Sequence, residues 1–242
     1  MFLKLEEAIN LGPFNQKALE PIRIAVEMEG KYKESLNIHY AVINENPYAH
    51  QAWYNLSHAH YSLRKYEDAL STFEYAFIID KWFEPAYIEY VGVCFHLNLY
   101  NKALDSLKQA VLLFQEDSEM LLKMGICYEY LEDYATARTY LFKALVQNHQ
   151  EDEIYFYIAE CYAKGINEAL EVLEKGEEHS YGADLLYCKS ALLFKIGERT
   201  IAFQYLEEAL LENYEKRDLF LNLIPEMKTD KDINGIIRYF RN

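Results

Sequence analysis

Residues that break helices are scarce in this chain of 242 residues, which contains 9 glycines and 5 prolines. Large aromatic residues are abundant instead, with 22 tyrosines and 13 phenylalanines. Few breakers and many large rings favour long helices that pack against neighbours on several sides. Because 51% of the residues are hydrophobic, the chain has enough apolar surface to bury a core and is not expected to be disordered.

Signals for membrane insertion and for export are also missing. No continuous apolar run reaches the roughly 18 residues that crossing a bilayer requires. The first residues, MFLKLEEAIN, carry acids where a secretory signal peptide has its apolar core. We therefore expect a cytoplasmic protein.

The chain also has few positively charged residues. The chain has 24 Lys and Arg residues against 39 Asp and Glu residues, which gives a formal net charge of −15, and its basic residues are scattered. Binding to a phosphate-rich surface requires clustered Lys and Arg side chains. Neither nucleic acid nor a membrane is therefore an expected partner.

Motifs for catalysis and metal binding are absent as well. The chain has four cysteines, Cys94, Cys127, Cys161 and Cys188. They form no C-x-x-C pair, which indicates buried thiols in a reducing compartment rather than disulfides, a zinc site or a nucleophile. His58 and His60 lie two residues apart, so on a helix they point about 200° away from each other and do not suit one metal ion. Without a glycine-rich phosphate loop either, the sequence predicts no enzyme and no cofactor.

What the sequence does contain is an internal repeat. Two alanine positions and one large apolar position recur 34 positions apart, at Ala69, Ala103 and Ala137, at Ala76, Ala110 and Ala144, and at Phe73, Leu107 and Leu141. The spacing of four and then three residues puts the three positions of each repeat on one face of a helix. A second helical segment precedes each of these helices. A fixed period of this length indicates stacked pairs of antiparallel helices, since such a pair cannot bury its apolar face alone.

The clearest repeat resembles those of the tetratricopeptide repeat (TPR) family, whose pattern is W-x2-L-G-x2-Y followed by A-x3-F-x2-A. The matching residues are Trp53, Leu56, Ser57, His60, Ala69, Phe73 and Ala76. The resemblance implies an all-α fold, a right-handed superhelical TPR solenoid of antiparallel helix hairpins with about 14 helices. The earliest complete repeat departs from the pattern, because Ser35 and His39 stand where Ala and Phe are usual.

The period divides the chain into successive units. Residues 1–15 are predicted to be the second helix of a truncated repeat, and the six units that follow are 16–49, 50–83, 84–117, 118–151, 152–182 and 183–216. Residues 217–242 lack the alanine pattern and are predicted to form two capping helices, at 217–227 and 232–240, with Asp230 as an N-cap. A start in mid-repeat suggests a piece of a longer solenoid, whose uncapped first face is a candidate for self-association.

The resemblance also implies a binding surface. In that family the first helices of successive repeats line a concave groove in which another protein or peptide binds. The corresponding positions are Tyr54, His58, Tyr61, Ile88, Phe95, Leu122, Ile126, Glu129, Phe156 and Glu160. This set is mostly aromatic and aliphatic and lacks the basic cluster that captures acidic C-terminal tails, so we expect it to bind an apolar strip or an amphipathic helix.

Two functions are compatible with a repeat solenoid that carries such a groove. The first is a non-catalytic scaffold or adaptor that binds a protein or peptide in an aromatic-lined groove. The alternative is the regulatory TPR segment of a longer multidomain protein, such as an enzyme or a transcription regulator. The sequence upstream of Met1 would distinguish the two.

Overall fold

A computed structural model describes residues 16–28, 30–162 and 165–241, and within these residues the fold is all-α, with fourteen α-helices and no β-strand. The chain divides into two compact units, one ending at Glu116 and one beginning at Asp117. This boundary lies one residue before the end of the predicted unit 84–117. The predicted N-terminal helix remnant, residues 1–15, lies outside the described residues.

Within its described residues, 16–28 and 30–116, the first unit contains three helix pairs. Its helices are α1 (Gln16–Met28), α2 (Tyr32–Glu45), α3 (His50–Ser62), α4 (Tyr66–Ile79), α5 (Glu84–His96) and α6 (Tyr100–Leu113). Each helix packs against the next one along the chain, and α1 also packs against α3. The recurring face predicted from the sequence is the interior of these pairs, because Ala69, Phe73 and Ala76 on α4 are all almost fully buried. Small alanines let two helices approach closely, and the ring between them fills the remaining space.

The second unit contains three further helix pairs and a C-terminal extension. The paired helices are α7 (Ser118–Tyr130), α8 (Tyr134–Gln147), α9 (Asp152–Glu160), α10 (Ile166–Glu177), α11 (Ala183–Lys195) and α12 (Arg199–Glu212). The middle pair is the shortest, since α9 has 9 residues and α10 has 12. It lies in the predicted unit 152–182, which is shorter than the other five predicted units. Ala137, Leu141 and Ala144 again form a buried face on α8.

A left-handed residue ends the first helix of each pair whose turn is described. The residues with positive φ angles are Gly30, Arg64, Asn98, Glu132 and Gly197, and the first four of them recur at the same interval as the alanine positions. In all five turns the N–H of the following residue donates a hydrogen bond of 2.8 to 3.0 Å to the carbonyl oxygen five residues earlier. This is the Schellman type of helix ending, which satisfies a carbonyl group that the helix itself leaves unpaired. The backbone conformation of the turns therefore recurs with the same period as the packing of the helices.

The C-terminal extension covers the last helix pair. It comprises α13 (Asp218–Leu223), α14 (Lys231–Tyr239) and two short 3₁₀ turns, Tyr214–Arg217 and Pro225–Thr229. The sequence predicted one helix over 217–227, but the α-helix ends before Pro225, which lacks the N–H that would continue it. The N-cap at Asp230 is confirmed, because its carboxylate accepts hydrogen bonds from the backbone N–H groups of Asp232 and Ile233. Phe220, Ile224 and Ile233 are fully buried in one cluster with residues of α11 and α12.

The cysteines lie inside the helix pairs, as the sequence predicts. All four are buried and free of disulfide bonds. Burial raises the pKa of the Cys94 thiol to about 12 and that of Cys161 to about 12. A thiol with such a pKa stays protonated at neutral pH and is a poor nucleophile. No helix in the described part of the chain is long and apolar enough to cross a membrane.

Candidate functional site

The ten predicted groove residues lie on the first helices of four successive pairs. Tyr54, His58 and Tyr61 are on α3, Ile88 and Phe95 are on α5, Leu122, Ile126 and Glu129 are on α7, and Phe156 and Glu160 are on α9. Four of them are buried side chains, because Tyr54, Leu122, Ile126 and Phe156 are at most 8% exposed. The other six are partly exposed, and Tyr61 reaches 37%. We call the surface formed by these residues in each unit its first-helix face. In each unit this face combines buried side chains, which form its floor, with side chains that remain accessible.

A carboxylate outside the predicted set of binding residues, that of Glu89, joins the buried side chains on the first-helix face of the first unit. The hydroxyl of Tyr54 donates a 2.7 Å hydrogen bond to Oε1 of Glu89, and Nε2 of His58 lies 2.7 Å from Oε2 of the same carboxylate. Burial acts to raise the pKa of Glu89, but the contacts with His58 and Tyr54 outweigh it and hold that pKa below its ordinary value. Burial, reinforced by the bond to Glu89, raises the pKa of Tyr54 far above its usual range. Glu89 is therefore an anion and Tyr54 a donor at neutral pH.

A second set of polar contacts joins α1 to α3. The side-chain amide of Gln51 lies within hydrogen-bond distance of Glu20 at 3.1 Å and of Asn55 at 2.9 Å, and Asn55 donates in turn to the backbone oxygen of Leu19 at 3.0 Å. Arg23 pairs with Glu20 one helical turn away. Asn55 is fully buried, so its hydrogen bonds offset the cost of removing a polar amide from water. These contacts fix the position of α3 relative to α1.

The far end of the same face is aromatic. The hydroxyl of Tyr61 lies 2.7 Å from Nε2 of His96, and the His96 ring stacks on Tyr66 with ring centroids 4.8 Å apart. Phe95 packs against Tyr100 with centroids 5.8 Å apart. His96 is exposed, whereas Phe95, Tyr66 and Tyr100 are partly buried. This end offers ring faces and edges to a second molecule, together with polar atoms that can accept or donate a hydrogen bond.

The first-helix face of the second unit has an apolar floor and two carboxylates. Leu122, Ile126 and Phe156 are buried, whereas Glu129 and Glu160 are partly exposed. Burial, followed by the charge of Glu129, raises the pKa of Glu160 to about 7. Burial also raises the pKa of Glu129. Two carboxylates that repel each other in a poorly hydrated place favour a positively charged or hydrogen-bond-donating neighbour.

As far as the described residues extend, the histidines and carboxylates of these faces do not have the arrangement of a metal centre. Within the residues that the structure describes, no three His, Cys, Asp or Glu side chains are grouped so as to hold a metal ion. His58 contacts Glu89, but His60 is a buried residue within 3.7 Å of Asp68 and 3.2 Å of Tyr40. The two histidines therefore belong to separate environments, in keeping with their divergent directions on one helix.

The binding residues predicted from the sequence do not include Glu89 and His96, although both lie on this face. Each lies one repeat plus one residue beyond its partner, since Glu89 follows Tyr54 by 35 positions and His96 follows Tyr61 by 35. The sequence prediction compared positions one repeat apart, which selects Ile88 and Phe95 instead. The signal that could have identified Glu89 and His96 is the position of polar side chains on α5 that face α3, and not the recurrence of one position in every repeat.

Comparisons with known proteins give a curated relative and many solved structures. No protein-family model matches the chain. The BBSome complex member BBS4 of Bos taurus is 29% identical over 119 residues, which are 48% of this chain and 23% of that protein. The chain thus spans less than a quarter of the length of the curated relative that it matches.

The solved structures that resemble this chain include proteins described as tetratricopeptide-repeat proteins. YrrB, described as a TPR protein with an unusual peptide-binding site, is 22% identical with a TM-score of 0.53, and the match covers 84% of this chain and 98% of YrrB. A tetratricopeptide repeat protein from Parabacteroides merdae is 16% identical with a TM-score of 0.64, and that match covers 96% of this chain and 86% of the other. At these identities the likeness is one of fold.

Proposed function

Because this chain has the tetratricopeptide-repeat fold, we propose that it is a non-catalytic scaffold that binds another protein or peptide on the first-helix face of α3 and α5. The observation that supports this most directly is the pair Tyr61 and Phe95. They occupy the same position in successive repeats and both remain partly accessible. Accessible aromatic side chains on a rigid helical surface are typical anchors for a bound peptide, since they bury a large area at a small cost in conformational entropy.

The ligand that suits this face is an amphipathic helix or another strip with an apolar side. Ile88 adds an aliphatic contact on α5, and it is partly exposed like Phe95. The polar edge consists of His96 and the Glu89 carboxylate, whose side chain is 37% exposed. An apolar side of the partner would contact Ile88 and Phe95, while a basic or amide group beside it would pair with Glu89.

Peptide selection followed by measurement of affinity tests this proposal. A random peptide library would be selected on the whole chain, and the dissociation constants of the enriched peptides would be measured by calorimetry. The double variant Tyr61→Ala/Phe95→Ala should bind them at least about tenfold more weakly, because each truncated anchor typically costs about 1 kcal/mol or more. Tyr48→Ala is the matched control, since Tyr48 is an exposed aromatic residue in the turn between α2 and α3.

Two results would count against this assignment. Equal affinities of the wild type and the double variant would remove the first-helix face from the binding site. Equal losses in the double variant and in Tyr48→Ala would indicate non-specific contact with exposed rings. Helix content measured by circular dichroism must be the same in all variants, which is expected because none of the three side chains is fully buried.

A second candidate function is that of a regulatory segment in a longer multidomain protein. The match to BBS4 favours this function. BBS4 is a member of the BBSome complex, and the match covers 23% of the BBS4 chain. In that setting the first-helix face would bind a segment of the same polypeptide or of a neighbouring subunit. Sequencing the gene upstream of the codon for Met1 would test it, and a stop codon in frame immediately upstream would contradict it.

A further inference from the structure

Three arginines converge on one cavity at the C-terminal end of the second unit. The cavity has a volume of about 600 Å³ and is lined by Tyr214, Glu215, Arg217, Ile237, Arg238 and Arg241. Arg217 is the last residue of a 3₁₀ turn that directly precedes α13, whereas Arg238 lies on α14 and Arg241 follows its end. Burial of Ile233 against the last helix pair brings α14 back to this turn. We call this site the arginine pocket.

The charges in the arginine pocket are poorly neutralised by the protein itself. The side chains of Arg238 and Arg241 are exposed and have neither an ion pair nor a hydrogen bond among the described residues. Arg217 lies over the ring of Tyr214, donates to the backbone oxygen of that residue, and lies 3.6 Å from a carboxylate oxygen of Glu215. The Glu215 side chain is 88% exposed, so this ion pair is weak in water.

Other cations in the same region have closer carboxylate partners. Lys216 lies 2.8 Å from Asp184, and Arg199 lies 3.1 Å from Asp230. A protein with a net charge of −15 has many acids available to pair with its arginines. Among the described residues, the lining of this cavity nevertheless holds three arginines and one highly exposed carboxylate, which gives it the electrostatics of an anion site.

From this geometry we propose that the arginine pocket binds the phosphoryl group of a phosphorylated partner peptide. A phosphoryl dianion presents three oxygens, which matches several guanidinium groups, whereas a single carboxylate is satisfied by one arginine. The cavity is larger than a phosphoryl group alone, and Tyr214 and Ile237 supply an apolar wall beside the arginines. This wall suits the side chain that carries the phosphoryl group, above all the ring of phosphotyrosine.

A short peptide fits better than an extended polyanion. The strong negative charge of the whole chain repels nucleic acid and anionic lipid surfaces, which present many phosphates at once. A peptide brings only one phosphoryl group to the pocket, and its other residues can be neutral or positively charged. The proposal concerns a surface of the second unit and does not depend on the first-helix face of α3 and α5.

Binding of phosphopeptides to the whole chain tests the proposal. The probes are three mixtures of peptides with random flanks around a central phosphotyrosine, phosphoserine or unmodified tyrosine, together with vesicles that contain phosphatidylserine. The variant is Arg238→Gln/Arg241→Gln. The matched control is Lys228→Gln/Lys231→Gln, which removes the same charge from two exposed residues outside the pocket.

The wild type is expected to bind the phosphotyrosine mixture most tightly, and the phosphoserine mixture more weakly. The arginine variant should lose at least about tenfold in affinity and the lysine control less than about twofold, since loss of directed guanidinium bonds exceeds loss of distant charge. Equal losses in the two variants, or equal binding of the unmodified mixture, would overturn the proposal. Binding of the vesicles in preference to every peptide mixture would also overturn it, in favour of a membrane-binding surface.

Discussion

Tyr54 and Glu89 are joined by a 2.7 Å hydrogen bond between the first helices of neighbouring repeats. His58 approaches the other oxygen of the same carboxylate. The hydroxyl of Tyr54 and Nε2 of His58 thus both approach one carboxylate of the protein itself, on the face that we propose as the binding surface. The face therefore presents a preorganised anion with ordered neighbours, and partly accessible aromatic rings lie on the same face.

Replacement of Glu89 by glutamine tests the strength of this cluster. The Glu89→Gln variant keeps the shape of the side chain but loses the charge, so we expect it to unfold more easily by about 1 kcal/mol at pH 7. This figure lies below the usual range for a hydrogen bond to a charged group because the side chain is 37% exposed and its interactions are screened by water. Urea unfolding monitored by circular dichroism gives the difference directly.

The pH dependence of the Glu89 effect has a definite sign. The pKa of Glu89 is lowered in the folded protein, so its contribution is present above the pKa of an unfolded glutamate and is lost as the pH falls through the folded value. The difference between wild type and Glu89→Gln should therefore shrink between pH 5 and pH 3. The control is Glu116→Gln, an exposed carboxylate in the segment after α6. A difference that stays constant over this range would show that the charge of Glu89 does not stabilise the fold.

His39 is predicted to be a destabilising residue that a leucine improves. Its ring is fully buried, and neither ring nitrogen has a hydrogen-bond partner among the described residues. The same position in the next three repeats holds Phe73, Leu107 and Leu141, which are also buried. The His39→Leu variant should be more stable by about 1–2 kcal/mol at pH 7, because it removes unpaired polar atoms from the interior. Urea unfolding provides the measurement.

The difference in the free energy of unfolding between His39→Leu and the wild type should increase as the pH falls below 7. Burial, followed by the charge of Arg23, lowers the pKa of His39 to about 4. Between that value and the ordinary value near 6.5 the unfolded chain binds a proton that the folded chain does not, so the wild type loses stability as the pH falls through this window. The difference between the two proteins should increase by about 3 kcal/mol between pH 7 and pH 4. An increase no larger than that of the exposed variant His149→Leu would contradict this account.

The sequence was sufficient for the repeat but not for the contacts between repeats. Ala69, Phe73 and Ala76 recur at fixed spacing because close helix packing requires those sizes at those places, so their burial follows from the pattern. The contact between Tyr54 and Glu89 follows from side-chain directions on two helices, which the repeat period alone does not specify. The interruption of the predicted helix over 217–227 follows from Pro225 alone, and that signal was present in the sequence.

The arginine pocket escaped prediction for a related reason. Arg217 and Arg238 lie 21 positions apart in a segment without repeats. No period therefore relates the two residues, and only the return of α14 to the turn before α13 brings them to one cavity.

A pair of alanines on α8 provides an internal test of the packing. Ala137 is fully buried, whereas Ala135 on the same helix is exposed. Ala137→Leu should lower the free energy of unfolding by about 1–3 kcal/mol, since extra methylene groups must displace neighbouring side chains. Ala135→Leu should change it by less than about 0.5 kcal/mol, because leucine has nearly the same helix propensity and meets solvent there. Comparable losses in both variants would show that helix propensity, and not close packing, selects alanine in this fold.

The left-handed turn residues offer a way to stabilise the chain without touching any core contact. Arg64 and Glu132 adopt positive φ angles of 58° and 62°, which strain the backbone of a residue with a β-carbon. Arg64→Gly and Glu132→Gly should each raise the free energy of unfolding by about 0.5–1 kcal/mol, because relief of strain exceeds the extra freedom of glycine in the unfolded chain. Asn98→Gly should have a smaller effect, since asparagine tolerates this region.

The reverse substitution and an alanine control separate backbone strain from charge. Gly30→Ala and Gly197→Ala place a β-carbon at φ angles of 69° and 89°, with no neighbouring atom within 4 Å, so any loss of stability reflects the backbone alone. Each should destabilise the fold by about 1 kcal/mol. Arg64→Ala removes the same charge as Arg64→Gly but retains the strain, so it should not stabilise the chain. If Arg64→Ala and Arg64→Gly raise the melting temperature equally, the guanidinium group and not the turn geometry is the source of the effect.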